Sequence, residues 1–305
     1  MKTYHSLAEL SSSEAPGFGL AMGVFDGVHR GHETVISAAR APGQRTGVLT
    51  FEPHPIQVLA PERAPQRILA SLAHKERILS RLGVDFLVVR KFTPDFASRE
   101  ARAFAKRLQA SGAGRLTAGV DWSFGKDRGG TMDRLAQWCP DLTVVPVPAL
   151  MHRGERISST RIRQALRDGN LLAVEEMLGR PYSVFGEVRQ GAQLGRSIGV
   201  PTANLSVLPQ QLPENGVYAV SGSWDHVWHH GVANIGTKPT VTADPLRTLE
   251  VHFLEGTPPD TYGWQAEIAF HQRLRNEQKF ANLDALKAQI TLDIENARTA
   301  LQVTK

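Results

Sequence analysis

A single cysteine, Cys139, stands in a chain of 305 residues. One cysteine closes no internal disulfide and builds no Cys-based zinc site, so a disulfide-stapled secreted scaffold and a zinc finger are excluded. The sequence suits a reducing compartment. Long apolar runs are missing too. The uncharged segment Ala15–Phe25 has 11 residues, against the ~20 that a membrane helix needs. Met1–His5 carries charge, but no apolar segment follows it directly. No signal peptide is read, and a cytoplasmic protein without a membrane partner is expected. Internal repeats and low-complexity tracts are absent. Hydrophobic residues make up 41% and charged residues 21%, a balance that argues against disorder.

What is present divides near residue 180. At roughly 100–200 residues per domain, two domains are expected. The net charge of +5 is uneven: residues 1–180 hold 25 Lys and Arg against 18 Asp and Glu, and residues 181–305 hold 10 against 12. A basic first half suits polyanions, nucleotides or nucleic acid, although a solvated arginine-rich surface has the same composition. Up to residue 180, short apolar runs at Gly19–Phe25, Thr46–Phe51, Asp85–Val89, Leu116–Val120 and Leu142–Val147 alternate with helical patterns. Arg67–Leu82 is read as one helix, and Ser98–Leu108 as another capped by Ser98. Such alternation predicts a parallel sheet with helices on both faces, binding ligand beyond the carboxyl ends of its strands. After the breaker Gly179-Arg180-Pro181, short strands at Tyr182–Val188, Gly216–Gly222, Val227–Ile235, Thr248–Phe253 and Gln265–His271 suggest a small antiparallel barrel. Leu286, Ile290, Ile294 and Ala297 mark a terminal helix over Leu283–Leu301. The expected division is therefore 1–180 and 181–305.

Two stretches of the first half carry chemistry. Met22-Gly-Val-Phe-Asp-Gly-Val-His-Arg-Gly-His32 follows the first strand and opens the first helix. Its glycines let backbone approach a ligand, and a helix N-terminus offers N–H groups to phosphate. His29 and His32, three residues apart, can donate to an α-phosphate under attack. The plainer reading is a glycine turn with two surface histidines. Ile157-Ser-Ser-Thr-Arg-Ile-Arg163 offers Ser159 and Thr160 as helix caps, and Arg161 and Arg163 as cationic forks for a polyphosphate.

Those stretches, with Thr50-Phe-Glu-Pro-His-Pro55 and Gly119-Val-Asp-Trp-Ser-Phe-Gly125, closely resemble the adenylyltransferase half of the bacterial bifunctional riboflavin kinase/FAD synthetases. Four separated motifs in the right order are far more specific than one. Trp122 replaces the phenylalanine usual in the third motif. The resemblance implies a Rossmann-like HxGH nucleotidyltransferase domain in which FMN attacks the α-phosphate of ATP, giving FAD and pyrophosphate. It assigns Gly23, Phe25, Asp26, His29, His32, Ser159, Thr160 and Arg163 to ATP, and His54, Pro55, Asp121, Phe124 and Gly125 to the flavin end.

The second half holds Gly191-Ala-Gln-Leu-Gly-Arg-Ser-Ile-Gly-Val-Pro-Thr-Ala-Asn-Leu205. This is not a Walker A loop, because no Gly-Lys-Ser/Thr follows the glycines. The loop can wrap a polyphosphate, and Thr202 and Asn204 offer hard oxygens suited to Mg²⁺. On residues alone a structural glycine turn is the better reading, since glycine-rich turns near strands are common. The wording resembles the riboflavin kinase half of the same family, a small β-barrel domain that makes FMN from riboflavin and Mg-ATP. That resemblance assigns Gly191, Gly195, Arg196, Gly199, Thr202 and Asn204 to ATP and metal, Glu250 to catalysis and Arg275 to flavin. Strand alternation puts Glu250 and His252 on one face of their strand, with Leu249, Val251 and Phe253 on the other. His226, His229 and His230 match no metal spacing and are read as a wet loop. Flavins and ATP are thus expected as substrates and products, with small molecules rather than nucleic acid as partners. Any homo-oligomer is unreadable from the sequence. Two alternatives stay open: another HxGH adenylyltransferase with an unrelated appended domain, and a nucleic-acid-binding protein.

Overall fold

The structure is a computed structural model that describes residues 1–190, 199–207, 209–224, 227–238, 246–255 and 262–303. The chain forms two compact units. The first comprises Met1–Gln66 and Leu72–Ser159, the second Arg67–Ser71 and Thr160–Lys305.

In the first unit six parallel strands form one sheet: β1 (Lys2–Tyr4), β2 (Phe18–Met22), β3 (Thr46–Glu52), β4 (Phe86–Lys91), β5 (Ala113–Gly119) and β8 (Thr143–Val147). Their order is β1-β4-β3-β2-β5-β8. The strand order reverses around β2, and that reversal opens a crevice at the carboxyl ends, where ligands of such sheets bind. Two short ribbons join the loops there, β6 (Ser123–Phe124) with β7 (Gly130–Thr131) and β9 (Met151–His152) with β10 (Glu155–Arg156).

Helices cover both faces because β2 is apolar on both. Phe18, Leu20 and Met22 pack with Leu7 and Leu10 of α1 (Leu7–Ser13). Other short or intervening helices are α2 (Arg30–Ala39), α3 (Pro55–Leu59), α4 (Leu72–Arg81), α5 (Pro94–Ala97), α6 (Ala101–Gln109) and α7 (Met132–Trp138). Phe104 and Leu108 of α6 and Met132 and Leu135 of α7 complete the α1 face. Helix α2 takes the opposite face, where the Thr117 hydroxyl of β5 donates to the Val35 carbonyl oxygen at 2.8 Å.

Two helical readings need correction. The pattern over Arg67–Leu82 yields a helix only from Leu72. Residues 67–71 join the second unit instead: Gln211 N–H donates to Ile68 O at 2.7 Å, and Ile68 pairs with Gln210 as a parallel bridge. The apolar spacing there reflects burial of Leu69 and Ala70 in a bent, non-helical segment. Ser98 does not cap the next helix. It closes α5, and α6 begins at Ala101 behind Glu100, which makes no side-chain cap bond.

The second unit begins with α8 (Ser159–Arg167, its first residue still in the first unit) and α9 (Leu171–Leu178). A closed antiparallel barrel follows, in the order β11 (Tyr182–Arg189), β12 (Ala203–Ser206), β15 (Leu246–Phe253), β14 (Val227–Lys238), β13 (Gly216–Trp224) and β16 (Gln265–Arg275). Closure leaves no sheet edge to template aggregation. Helix α10 (Leu283–Ala300) follows the barrel, capped by Asn282. Strand β12 escapes sequence reading: it is four residues long and lies in a segment that reads as a glycine loop.

A methyl group at Gly47 would lie 2.0 Å from a Phe86 ring carbon. Phe86 is fully buried between Tyr4 and Phe18 edges. Gly47→Ala is expected to destabilise the first unit by about 2 kcal/mol or more, read as a lower midpoint in urea unfolding. An unchanged midpoint would contradict this packing.

Candidate functional site

The carboxyl ends of β2, β3 and β5 carry the first site's loops. After β2, Gly23 N–H donates to Leu49 O at 3.1 Å. The chain then turns through left-handed conformations at Phe25 (φ 53°), Gly27 (φ 79°) and Val28 (φ 42°). Phe25 and Val28 are fully buried, and Asp26 is buried between them. A β-branched residue at positive φ is strained, and surrounding structure must hold it there.

That turn delivers His29 as the N-cap of α2. The His29 Nδ1 accepts the His32 N–H at 3.2 Å, and the His32 Nδ1 accepts the His29 N–H at 3.3 Å. The two histidines form a reciprocal capping box of the kind usually made by a hydroxyl and a carboxylate. Their rings stack at 3.6 Å with 14° between planes. A neutral imidazole whose Nδ1 accepts carries its proton on Nε2, so both rings are fixed as Nε2–H donors. Gly31 leaves room for the His29 ring, from which a Cβ there would lie only 3.2 Å away.

Ser159 Oγ donates to Asp26 O at 2.9 Å, tying the start of α8 to this turn. Ser159 is the first helical residue of α8. It therefore anchors a loop carbonyl and does not occupy the cap position expected for it. Thr160 follows it on α8, within the second unit. Arg163 is buried there, and its Nε donates to Arg67 O at 3.0 Å.

His54 caps α3, its Nδ1 accepting from Ile56 N–H at 3.2 Å, with Pro55 in the first turn. After β5, Asp121 receives a two-pronged bond from Arg156 of β10, at 2.6 and 3.3 Å. Hydrogen bonding from Arg156 holds the Asp121 carboxyl below its ordinary 3.8. The Trp122 ring stacks on Phe124 at 4.8 Å and packs against the sheet core. The larger ring at position 122 is thus accommodated as an aromatic wall. Gly125 has φ 73°, and a Cβ there would lie 2.4 Å from the Ala101 Cα.

Sequence reading passes over two residues of this unit. Arg156 lies in a two-residue strand with no pattern of its own. Lys75 carries a legible signal, since with Ile78 and Leu79 it falls on the apolar stripe of α4, and it is 4% exposed. Its Nζ donates to Val24 O at 2.8 Å and to Thr50 Oγ1 at 3.3 Å. Burial lowers its pKa, while the Asp26 and Glu52 carboxylates raise it.

In the barrel, Gly191, Gly195, Arg196 and His226 lie outside the described residues. Gly199 has φ 81°, and Thr202 immediately precedes β12. Asn204 on β12 pairs in register with Glu250 on β15, and Glu250 pairs with Asn234 on β14. Leu249, Val251 and Phe253 are buried, with Glu250 and His252 half-buried between them. One row on the outer wall therefore reads Asn204, Glu250, Asn234, with the carboxylate in the middle. His252 Nδ1 lies 2.9 Å from Pro201 O, which links β15 to the residue before Thr202.

Thr202 and Asn204 supply a hydroxyl and an amide oxygen. These are hard donors that fit a Mg²⁺ keeping its waters and substrate phosphates, without an all-protein cage. Among the described residues no group of three His, Cys, Asp or Glu is placed to hold a metal. Arg275 grips Asp293 of α10, Nε to Oδ1 at 2.9 Å and Nη2 to Oδ2 at 2.7 Å, beside the Phe280 ring. The structure thus occupies this guanidinium with a buried carboxylate.

A parallel sheet with a histidine pair at its first helix, followed by a closed barrel with a glutamate on its wall, defines a two-domain transferase. Residues 11–161 match the FAD synthetase family model, and residues 178–301 match the riboflavin kinase model. The bifunctional riboflavin kinase/FMN adenylyltransferase of Escherichia coli K12 is 38% identical over 100% of this chain and 99% of its own. That of Bacillus subtilis 168 is 33% identical over 97% of each. A Streptococcus pneumoniae crystal structure described as a macrolide-efflux protein superposes with a TM-score of 0.82 at 32% identity, covering 97% of this chain and 98% of that one. Among the described residues of this chain no helix is long and apolar enough to cross a membrane. The chain belongs to the bifunctional riboflavin kinase/FMN adenylyltransferase family.

The lowered Asp121 value means that its pairing stabilises the fold above the ordinary carboxylate range and is lost as pH falls through the lowered value. An NMR titration of Asp121 is expected to have its midpoint below 3.8. In Arg156→Ala the midpoint is expected to rise, and an unmoved midpoint would contradict the assignment of cause.

Proposed function

We propose that this protein makes FAD from riboflavin in two ATP-dependent steps at two separate sites. Membership of the family and the order of its two halves support both activities. The observation that carries the two-site reading is the pairing of unlike devices in one chain: two imidazoles locked as Nε2 donors, and one carboxylate set between two asparagines.

In the barrel, riboflavin's terminal hydroxyl is a poor nucleophile. Glu250 accepts its proton as the oxygen bonds to the γ-phosphorus of ATP and the bond to ADP breaks. Mg²⁺, held by Thr202 and Asn204, would neutralise phosphate charge. The glycine loop with Gly191, Gly195, Arg196 and Gly199 takes the nucleotide. For Arg275, the Asp293 pair supports a role through the placement of α10 beside the flavin.

In the first domain, the FMN phosphate is already anionic and needs no base. Its oxygen bonds to the α-phosphorus of ATP, the α–β bridge breaks, and pyrophosphate leaves. Catalysis is then positioning and charge neutralisation. His29 and His32 donate to the phosphate oxygens from Nε2 at the N-terminus of α2. Ser159, Thr160 and Arg163 take the triphosphate, and His54, Pro55, Asp121, Phe124 and Gly125 shape the flavin end. Residues 1–180 and 181–305 divide the two activities. The partners are small molecules, and the compartment is the cytoplasm.

Glu250→Ala is expected to lower riboflavin phosphorylation by about 10³-fold or more and to spare adenylylation of supplied FMN. His32→Ala is expected to do the reverse, with a loss of about 10²-fold or more. Chromatography of the flavin products decides it. One substitution removing both activities from folded protein would end the two-site reading.

A further inference from the structure

Lys75 is a buried ammonium for which neither reaction above has a use. It lies beneath the turn that leads to His29, and it closes a triangle there. Lys75 Nζ donates to Val24 O and to Thr50 Oγ1, and the Thr50 hydroxyl donates to the same Val24 oxygen at 2.9 Å. The next residue is Phe25, the first of the left-handed residues. A carbonyl held from two sides cannot rotate, so the peptide plane entering the turn is fixed. A charge kept out of water is costly even with the Asp26 and Glu52 carboxylates to favour it, and filling the space does not call for one. The lysine therefore does something that packing does not require.

We propose that Lys75 is a positioning residue for adenylyl transfer: with Thr50 it locks the Val24 carbonyl, and through it the 25–28 turn that sets the His29–His32 pair. This rests on the reading that the pair acts on ATP. A turn left free to relax would misplace the Nε2 donors, and an error near 1 Å can cost about 10²-fold in rate.

The test uses the full chain, with riboflavin phosphorylation as an internal control. Lys75→Met is expected to lower kcat for adenylylation about tenfold or more, with the KM for FMN within about twofold. Riboflavin phosphorylation should not change, and the thermal midpoint is expected to fall with the unfolding transition still cooperative, because buried Asp26 loses a countercharge and Val24 O loses one of its two donors. In a His32→Ala background the same change should add less than about a twofold loss, since residues acting as a unit are not additive. Thr50→Val, which keeps shape and removes one corner of the triangle, should lower kcat about threefold or more. Wild-type adenylylation in Lys75→Met or in Thr50→Val, or an equal loss with and without His32, overturns the proposal. Full adenylylation in His32→Ala alone overturns the reading of the pair itself.

Discussion

Helix α2 lies on β2 so closely that a Cβ at Gly19 would fall 1.8 Å from the Ala39 carbonyl oxygen. That approach sets everything downstream of it in the first domain. The far end of α2 is pressed to the sheet, so its N-terminus, with the histidine pair, cannot drift from the carboxyl end of β2. The strained turn before it is short because the distance to be spanned is short. Phe25 and Val28 accept unfavourable backbone angles, and their complete burial offsets the strain. Helix and sheet positions are thus converted into the placement of two imidazoles.

The barrel solves a similar problem by a different rule. Along β15 the side chains alternate, apolar inward and polar outward. Alternation alone would leave Glu250 on a wet surface. Register adds what alternation cannot: it sets Asn204 and Asn234 at the same level on either side. The sheet therefore aligns residues that are 30 and 46 positions apart in sequence. In the first domain a helix end gathers the chemistry, and in the second a strand row does.

Much of this was legible in the sequence. Five of the six sheet strands announce themselves by apolar runs, and the first, Lys2–Tyr4, does not, because three residues at an edge carry no period. The turn Gly23–His32 is readable, since its glycines and the histidine spacing mark a strand giving way to a helix. That the histidines cap each other is not readable, because imidazole rarely plays that part and spacing does not report ring direction. Arg67–Ser71 misleads because apolar side chains buried in a bent, non-helical segment can mimic a helical face over five residues. The Asp121–Arg156 pair joins positions 35 apart in two loops, and no local pattern connects them. Lys75 was visible as a charge on an apolar stripe, which is a conflict between levels, and such conflicts tend to mark function.

The excursion of residues 67–71 has a consequence for how this polypeptide can be dissected. Ile68 lends the second domain a parallel neighbour at Gln210, and Leu69 O accepts from the buried Tyr182 hydroxyl at 3.3 Å. Both come from early in the chain. A kinase fragment cut anywhere after residue 71 therefore lacks the bridge at Gln210 and the acceptors at Ile68 O and Leu69 O. Synthesis on the ribosome meets the same order: those five residues emerge long before the strands they serve. The second unit is spatially one body drawn from two separate stretches of sequence, and a gene split between the two activities would have to replace those contacts.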